Sequence, residues 1–167
     1  MRDATLCFLI HGSPPRQVLL GLKKIGFGAG KYTGFGGKVQ PGETPKAAAI
    51  RELEEEAGVQ VREKDLRPMG QFAFLFPAQS SWSQLVHVFM AESWKGTPKE
   101  SREMAPAWFS IDEIPVDRMW EDGAYWLPHI LSGEPIQARF IFDADNETIA
   151  DVEIKPLDIA DRGERNG

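Results

Sequence analysis

Apolar residues along this chain gather in short blocks divided by turn signals. "ATLCFLIH" (4–11) and "QVLLGLK" (17–23) read as strands, and "GSPPR" between them is a turn, so the pair predicts a hairpin. "MGQFAFLF" (69–76) and "QLVHVFMA" (84–91) read as two more strands, and "PAWFS" (106–110) as a short one. "IQARFIFDA" (136–144) and "TIADVEI" (148–154) predict a closing hairpin. Helical signals appear twice. "KAAAIRELEEEA" is rich in helix formers, Thr44 suits its cap, Pro45 its first position and Gly58 its left-handed end. "EDGAYWLPHILSG" (121–133) predicts a helix interrupted near Pro128, and "IDEIP" a helical turn. Strands and two helices mix without regular β-α-β alternation, which predicts an α+β class. One domain is expected over 1–155, followed by a polar tail over 156–167 that frays.

Two stretches stand apart from this pattern. "GFGAGKYTGFGG" (26–37) holds six glycines in twelve residues, so its backbone can approach a ligand closely. It fits neither the dinucleotide fingerprint nor the P-loop pattern. "RELEEEAG" (51–58) then crowds Glu52, Glu54, Glu55 and Glu56 together. On a helical wheel Ala49, Ile50, Leu53 and Ala57 form one arc, and Glu52, Glu55 and Glu56 another. Like charges at that spacing repel, and the C-terminal half of a helix disfavours them. The cluster is either a solvated acidic face or a seat for a hard divalent cation, which takes oxygen ligands.

The wider spacing separates these readings. Gly37, five residues, Glu43, seven residues, Arg51-Glu52-Leu53, one residue, Glu55-Glu56, one residue and Gly58-Val59 match G-x5-E-x7-R-E-U-x-E-E-x-G-U, with U bulky and aliphatic, at every fixed position over 23 residues. In this the chain resembles the Nudix hydrolases. The resemblance implies an α/β/α sandwich around a mixed sheet, and cleavage of a nucleoside diphosphate linked to another group. It also implies a loop–helix–loop that holds Mg²⁺, or Mn²⁺ as an alternative. Glu52, Glu55 and Glu56, with the Gly36 carbonyl, then look like the metal ligands. Glu103, in "KESREMAPAW", looks like a further acid near the metal. Glu56 is the first candidate for general base and Glu103 the second. Arg51 would orient the cluster, Glu43 would support it, and Gly37 would form a turn with unusual backbone angles.

Similarity runs on from about residue 5 to residue 154. "VLLGLKKIGFGAGKYTGFGGKVQPGET", "VHVF" and "MWEDGAYWLP" resemble, nearly in register, the animal members that turn 8-oxo-dGTP and 2-hydroxy-dATP into monophosphates and pyrophosphate. That resemblance implies Trp120 as the plate for a purine and Phe27 and Phe74 as pocket walls. Asp122 would read the ring edge, with Thr5 and Lys23 on the sugar side. Thr33 stands where that pattern has asparagine, and Gly123 where it has a second aspartate. A threonine hydroxyl does not span two ring atoms, so base preference is expected to differ while phosphate chemistry stays intact.

Charge and cysteine count narrow the setting. A net charge of −6 argues against a duplex nucleic-acid binder, although a bound cation can reverse the local field for a nucleotide. A lone cysteine, Cys7, forms no intramolecular disulfide and fits a reducing compartment. "LCFLI" is too short for a signal core or a membrane span. The expectation is a cytoplasmic monomer that takes a small nucleotide, with neither a nucleic-acid polymer nor a membrane as partner. His87 is expected buried in its strand, and three scattered histidines give no zinc spacing. Two other readings stay open. In one the substrate differs within the family (an unmodified dNTP, a dinucleoside polyphosphate or a nucleotide sugar). Alternatively, the chain is a non-catalytic nucleotide-binding module, although such modules usually lose box glutamates.

Overall fold

The computed structural model describes residues 1–158; the predicted polar tail beyond Asp158 lies outside them. Eight strands and two α-helices run in the order β1 (Arg2–His11), β2 (Gln17–Lys23), β3 (Tyr32–Thr33), α1 (Pro45–Ala57), β4 (Arg67–Leu75), β5 (Gln84–Ala91), β6 (Met104–Ser110), α2 (Gly123–Leu131), β7 (Ile136–Phe142) and β8 (Ile149–Pro156). Among the described residues no helix is long and apolar enough to cross a membrane.

The strands form a mixed sheet in the order β3-β2-β1-β5-β4-β7-β8, with β6 also paired to β2. Pairs β1–β5 and β4–β7 are parallel and the rest antiparallel. Strand β1 shows why each face carries a helix. Its side chains alternate, so Phe8 and Ile10 join Trp126, Leu127 and Ile130 of α2 in one core. Cys7 and Leu9 join Ala49 and Leu53 of α1 in the other. The result is the α/β/α sandwich of an α+β chain. His87 is buried on β5.

The predicted first hairpin forms, but it is short. β1 meets β2 only at Ile10–Val18 and His11–Gln17. The same edge of β2 then passes to β3, at Gly21–Thr33 and Leu22–Tyr32, so β1 and β2 splay apart. The glycine-rich segment fills the gap. Cys7 and Phe35 exchange backbone hydrogen bonds of 2.6 and 3.0 Å, and the Thr5 N–H donates to Gly37 O at 2.9 Å. The sequence reading, which saw only a loop here, missed β3 and these bridges.

Two further corrections concern α2 and the last hairpin. The helix is not interrupted at Pro128; it runs unbroken from Gly123 to Leu131. Proline forfeits one hydrogen bond, but Trp126, Leu127, Ile130 and Leu131 are all buried, and that packing holds the turn. β7 ends at Phe142 rather than 144 because Asp145 closes a turn, accepting the N–H of Glu147 and of Thr148.

Candidate active site

Helix α1 begins as its sequence predicts. Thr44 Oγ1 accepts the Ala47 N–H at 3.1 Å, a cap worth about 1 kcal/mol, and Gly58 ends the helix at φ 68°. The three glutamates of the acidic arc do not share one environment. Glu56 is only 3% exposed, whereas the Glu52 side chain is 14% and that of Glu55 59% exposed. Glu56 is buried because the segment beside β1 covers it: its Oε1 accepts the Gly36 N–H at 2.8 Å.

Arg51 ties the cluster together. Its Nε and Nη2 donate to both Glu43 oxygens at 2.8 and 3.0 Å, a two-pronged grip that holds Glu43 below the usual carboxylate range. Its Nη1 donates to Glu52 at 2.8 Å and to Glu55 at 3.4 Å, and its Nη2 to the Lys38 carbonyl at 3.1 Å. Gly37 does not take a positive φ. A glycine is needed there for room, since a Cβ would lie 2.7 Å from Glu52 Oε1.

Burial, and then the Glu52 carboxylate, push Glu56 up to about 8 against the opposing Gly36 N–H and Lys23. Burial also raises Glu52. Glu103 is exposed, its carbonyl accepts the Lys24 N–H at 2.7 Å, and its charge adds to the upward pressure on both Glu52 and Glu56. These carboxylates are therefore electrostatic neighbours. Among the described residues no three acidic, histidine or cysteine side chains already converge on one point. The donor set still suits a hard cation: it is all oxygen and negatively charged, and Gly36 is tied to it through its N–H on Glu56.

From Glu56 a cavity of about 300 Å³ runs toward α2. Of the carboxylates predicted to hold the metal only Glu56 lines it. All the side chains expected on the substrate side do: Thr5, Lys23, Phe27, Thr33, Phe74, Trp120 and Asp122. Phe74 is both wall and core, stacked on Phe140 at 5.3 Å. Phe27 is half exposed at the mouth, stacked on Trp120 at 5.1 Å. Lys31 Nζ lies 5.0 Å from the Trp120 ring centroid. Among the described residues Thr5 Oγ1 has no hydrogen-bond partner although it is buried, a cost that a ligand's polar group would relieve.

Sequence reasoning missed two aromatics. Trp82 meets the edge of Phe27 at 4.9 Å from an irregular 3-10 connection, which carries no periodic signal. Trp126 donates its Nε1–H to Asp122 Oδ2 at 2.7 Å. The spacing of four residues in "DGAYW" was the available clue, because it puts both on one helix face.

Burial pushes Asp122 up to about 6, more than the Trp126 hydrogen bond lowers it. The folded state thus binds this proton more tightly than the unfolded chain. The resulting stability is complete below the ordinary aspartate range near 3.9 and is lost as pH rises through about 6, by about 3 kcal/mol. Asp122→Asn keeps an acceptor for Trp126 and removes the charge. Its melting temperature relative to wild type is expected to climb between pH 5 and pH 8. A difference constant across that range would show that Asp122 is not the group responsible.

Comparison with known proteins agrees with this geometry. The NUDIX domain profile matches residues 1–130. The oxidized purine nucleoside triphosphate hydrolase of Mus musculus is 42% identical over 95% of this chain and 99% of its own length. The Danio rerio protein of the same name is 48% identical over 85% and 89%. A MutT protein from Bacillus halodurans superposes with a TM-score of 0.79 at 23% identity, over 95% of this chain and all of its own, which is a likeness of fold. A matched domain covering most of the chain, and relatives this similar along nearly their whole lengths, make this chain a member of the Nudix hydrolase family.

Proposed function

We propose that the chain hydrolyses oxidised purine nucleoside triphosphates to monophosphate and pyrophosphate, clearing damaged nucleotides from the pool. One observation supports this reading above the others. A single cavity runs from the buried Glu56 carboxylate to Trp120 and Asp122, a span that suits one nucleotide with its phosphates toward the first and its base toward the other two. The two relatives carry the names of such hydrolases.

Nudix hydrolases need a divalent cation, and we assign it as Mg²⁺, with Glu52, Glu55, Glu56, Glu103 and the Gly36 carbonyl as its ligands. When bound, such an ion supplies charge neutralisation and Lewis acidity to the triphosphate. The protein does the rest. Arg51 fixes Glu52 and Glu55 in orientation while Glu43 anchors Arg51. The Gly36 N–H holds Glu56 Oε1, leaving Oε2 to take a proton from the attacking water. Lys23 lies near enough to Glu56 to lower its proton affinity and faces the same cavity. Trp120, Phe74 and Phe27 offer apolar area to the purine, and Asp122 a hydrogen-bonding group. The catalytic unit we assign is a monomer, over 1–155. With Cys7 buried as the sole thiol, that unit suits the cytoplasm.

Release of nucleoside monophosphate, the product common to all of them, from 8-oxo-dGTP, 2-hydroxy-dATP, their unoxidised forms and a nucleotide sugar tests the assignment. Oxidised purines should turn over fastest with Mg²⁺, and EDTA should abolish release. Faster turnover of a nucleotide sugar would move the chain elsewhere in the family.

The Arg51 fork gives a separate expectation. Arg51→Lys leaves one ammonium where three nitrogens grip Glu43, Glu52, Glu55 and the Lys38 carbonyl. Activity should fall roughly 10- to 100-fold, and half-maximal activity should need more Mg²⁺. An unchanged Mg²⁺ requirement would separate Arg51 from the metal ligands.

A further inference from the structure

The base end of the cavity holds a polar side chain that has no assigned task. Gln84 opens β5 two residues before Val86, and both line the cavity. Alternation along a strand puts these two on the same face of the sheet. Across the β4–β5 ladder Gln84 sits opposite Phe74, another cavity wall. Its side chain is half-buried, and among the described residues its carboxamide makes no hydrogen bond.

The neighbouring polar groups are more limited. Asp122 Oδ2 already serves Trp126. Thr33 has a single hydroxyl, which does not engage two ring atoms at once. A carboxamide offers an acceptor and two donors side by side, and a half-turn of its terminal bond reverses their order. Purine edges pair a donor with an adjacent acceptor, in opposite order for an amino and an oxo base. Oxidation at the imidazole ring adds another such pair, an N–H beside a carbonyl.

We propose that Gln84 is the side chain that reads the purine's paired donor and acceptor, making it a specificity-determining residue of this cavity. The inference rests on the function proposed above. It also explains how a chain with threonine at position 33 and glycine at 123 keeps two-point recognition of a base. Trp120 and Phe74 supply area to any purine, whereas Gln84 distinguishes one from another.

Steady-state kinetics of wild type, Gln84→Met and Gln84→Glu on 8-oxo-dGTP, dGTP, 2-hydroxy-dATP and dATP test it. Methionine keeps the length and apolar bulk but neither strong donor nor acceptor. An ionised glutamate accepts without donating. The expected result is a KM increase of roughly 10- to 100-fold for Gln84→Met on the preferred base, with kcat within about threefold. The ranking of the four substrates should change between the two variants. Equal losses on all four, or unchanged KM values, would overturn the role of Gln84 and leave the function standing. If wild type hydrolyses none of the four, the function itself fails and takes this inference with it. Melting curves accompany each variant; should Gln84→Met not fold, Gln84→Glu carries the same comparison.

Discussion

A Glu56→Gln protein should fold normally and lose kcat by a factor on the order of 10² to 10⁴. The amide keeps an oxygen for the Gly36 N–H, so the 2.8 Å contact that seats the side chain survives. It loses the carboxylate that would accept a proton and share a cation. Glu103→Gln is the matched comparison. Glu103 is exposed and is the outlying member of the proposed ligand set, a minor contributor to the charge on Glu52 and Glu56, so its removal should cost less, by a factor of about ten or below. Turnover at saturating Mg²⁺ and substrate, with melting curves for both, decides the matter. Near-normal kcat in Glu56→Gln with a large loss in Glu103→Gln would exchange their roles.

The contrast between these glutamates also shows where sequence reasoning stops. The spacing from Gly37 to Val59 was legible because it is contiguous and every fixed residue has a local job. Leu53 packs into the core, Gly58 ends the helix, and Arg51 reaches Glu43 eight positions back. A helical wheel gives directions but not what lies in them. It placed Glu55 and Glu56 on one arc. Burial of the second and exposure of the first depend on segment 34–37, which packs against β1 across a split in the sheet. That split follows from β2 exchanging one edge between β1 and β3, a pairing that no local pattern encodes. Which residues line this end of the cavity was readable through resemblance, yet Phe27 meets Trp120 and Trp82 at the mouth rather than standing as a separate wall. Pro128 misled because its helix is held by four buried side chains, and a breaker rule takes no account of packing.

Gly36→Ala tests the split-sheet geometry directly, and it should be the most damaging single methyl in the chain. A Cβ at Gly36 would lie 1.8 Å from the Thr5 carbonyl oxygen and 2.5 Å from its carbon, both backbone atoms. Thr5 has little freedom to retreat. It is paired with His87 in the parallel β1–β5 ladder, and its N–H is engaged by Gly37 O. The methyl must therefore push segment 34–37 away from β1. That would break the Cys7–Phe35 bonds, uncover Phe35 and withdraw the N–H from Glu56. A loss of about 3 kcal/mol or more is expected, at the upper end for overpacking, with activity reduced to background. Gly37→Ala meets only the Glu52 carboxylate, the far end of a flexible side chain, so it should stay folded while losing activity as Glu52 is displaced. Urea midpoints and turnover for the two variants separate the effects. If both unfold at the same urea concentration as wild type, the close approach of Gly36 to Thr5 is not what holds Glu56 in place.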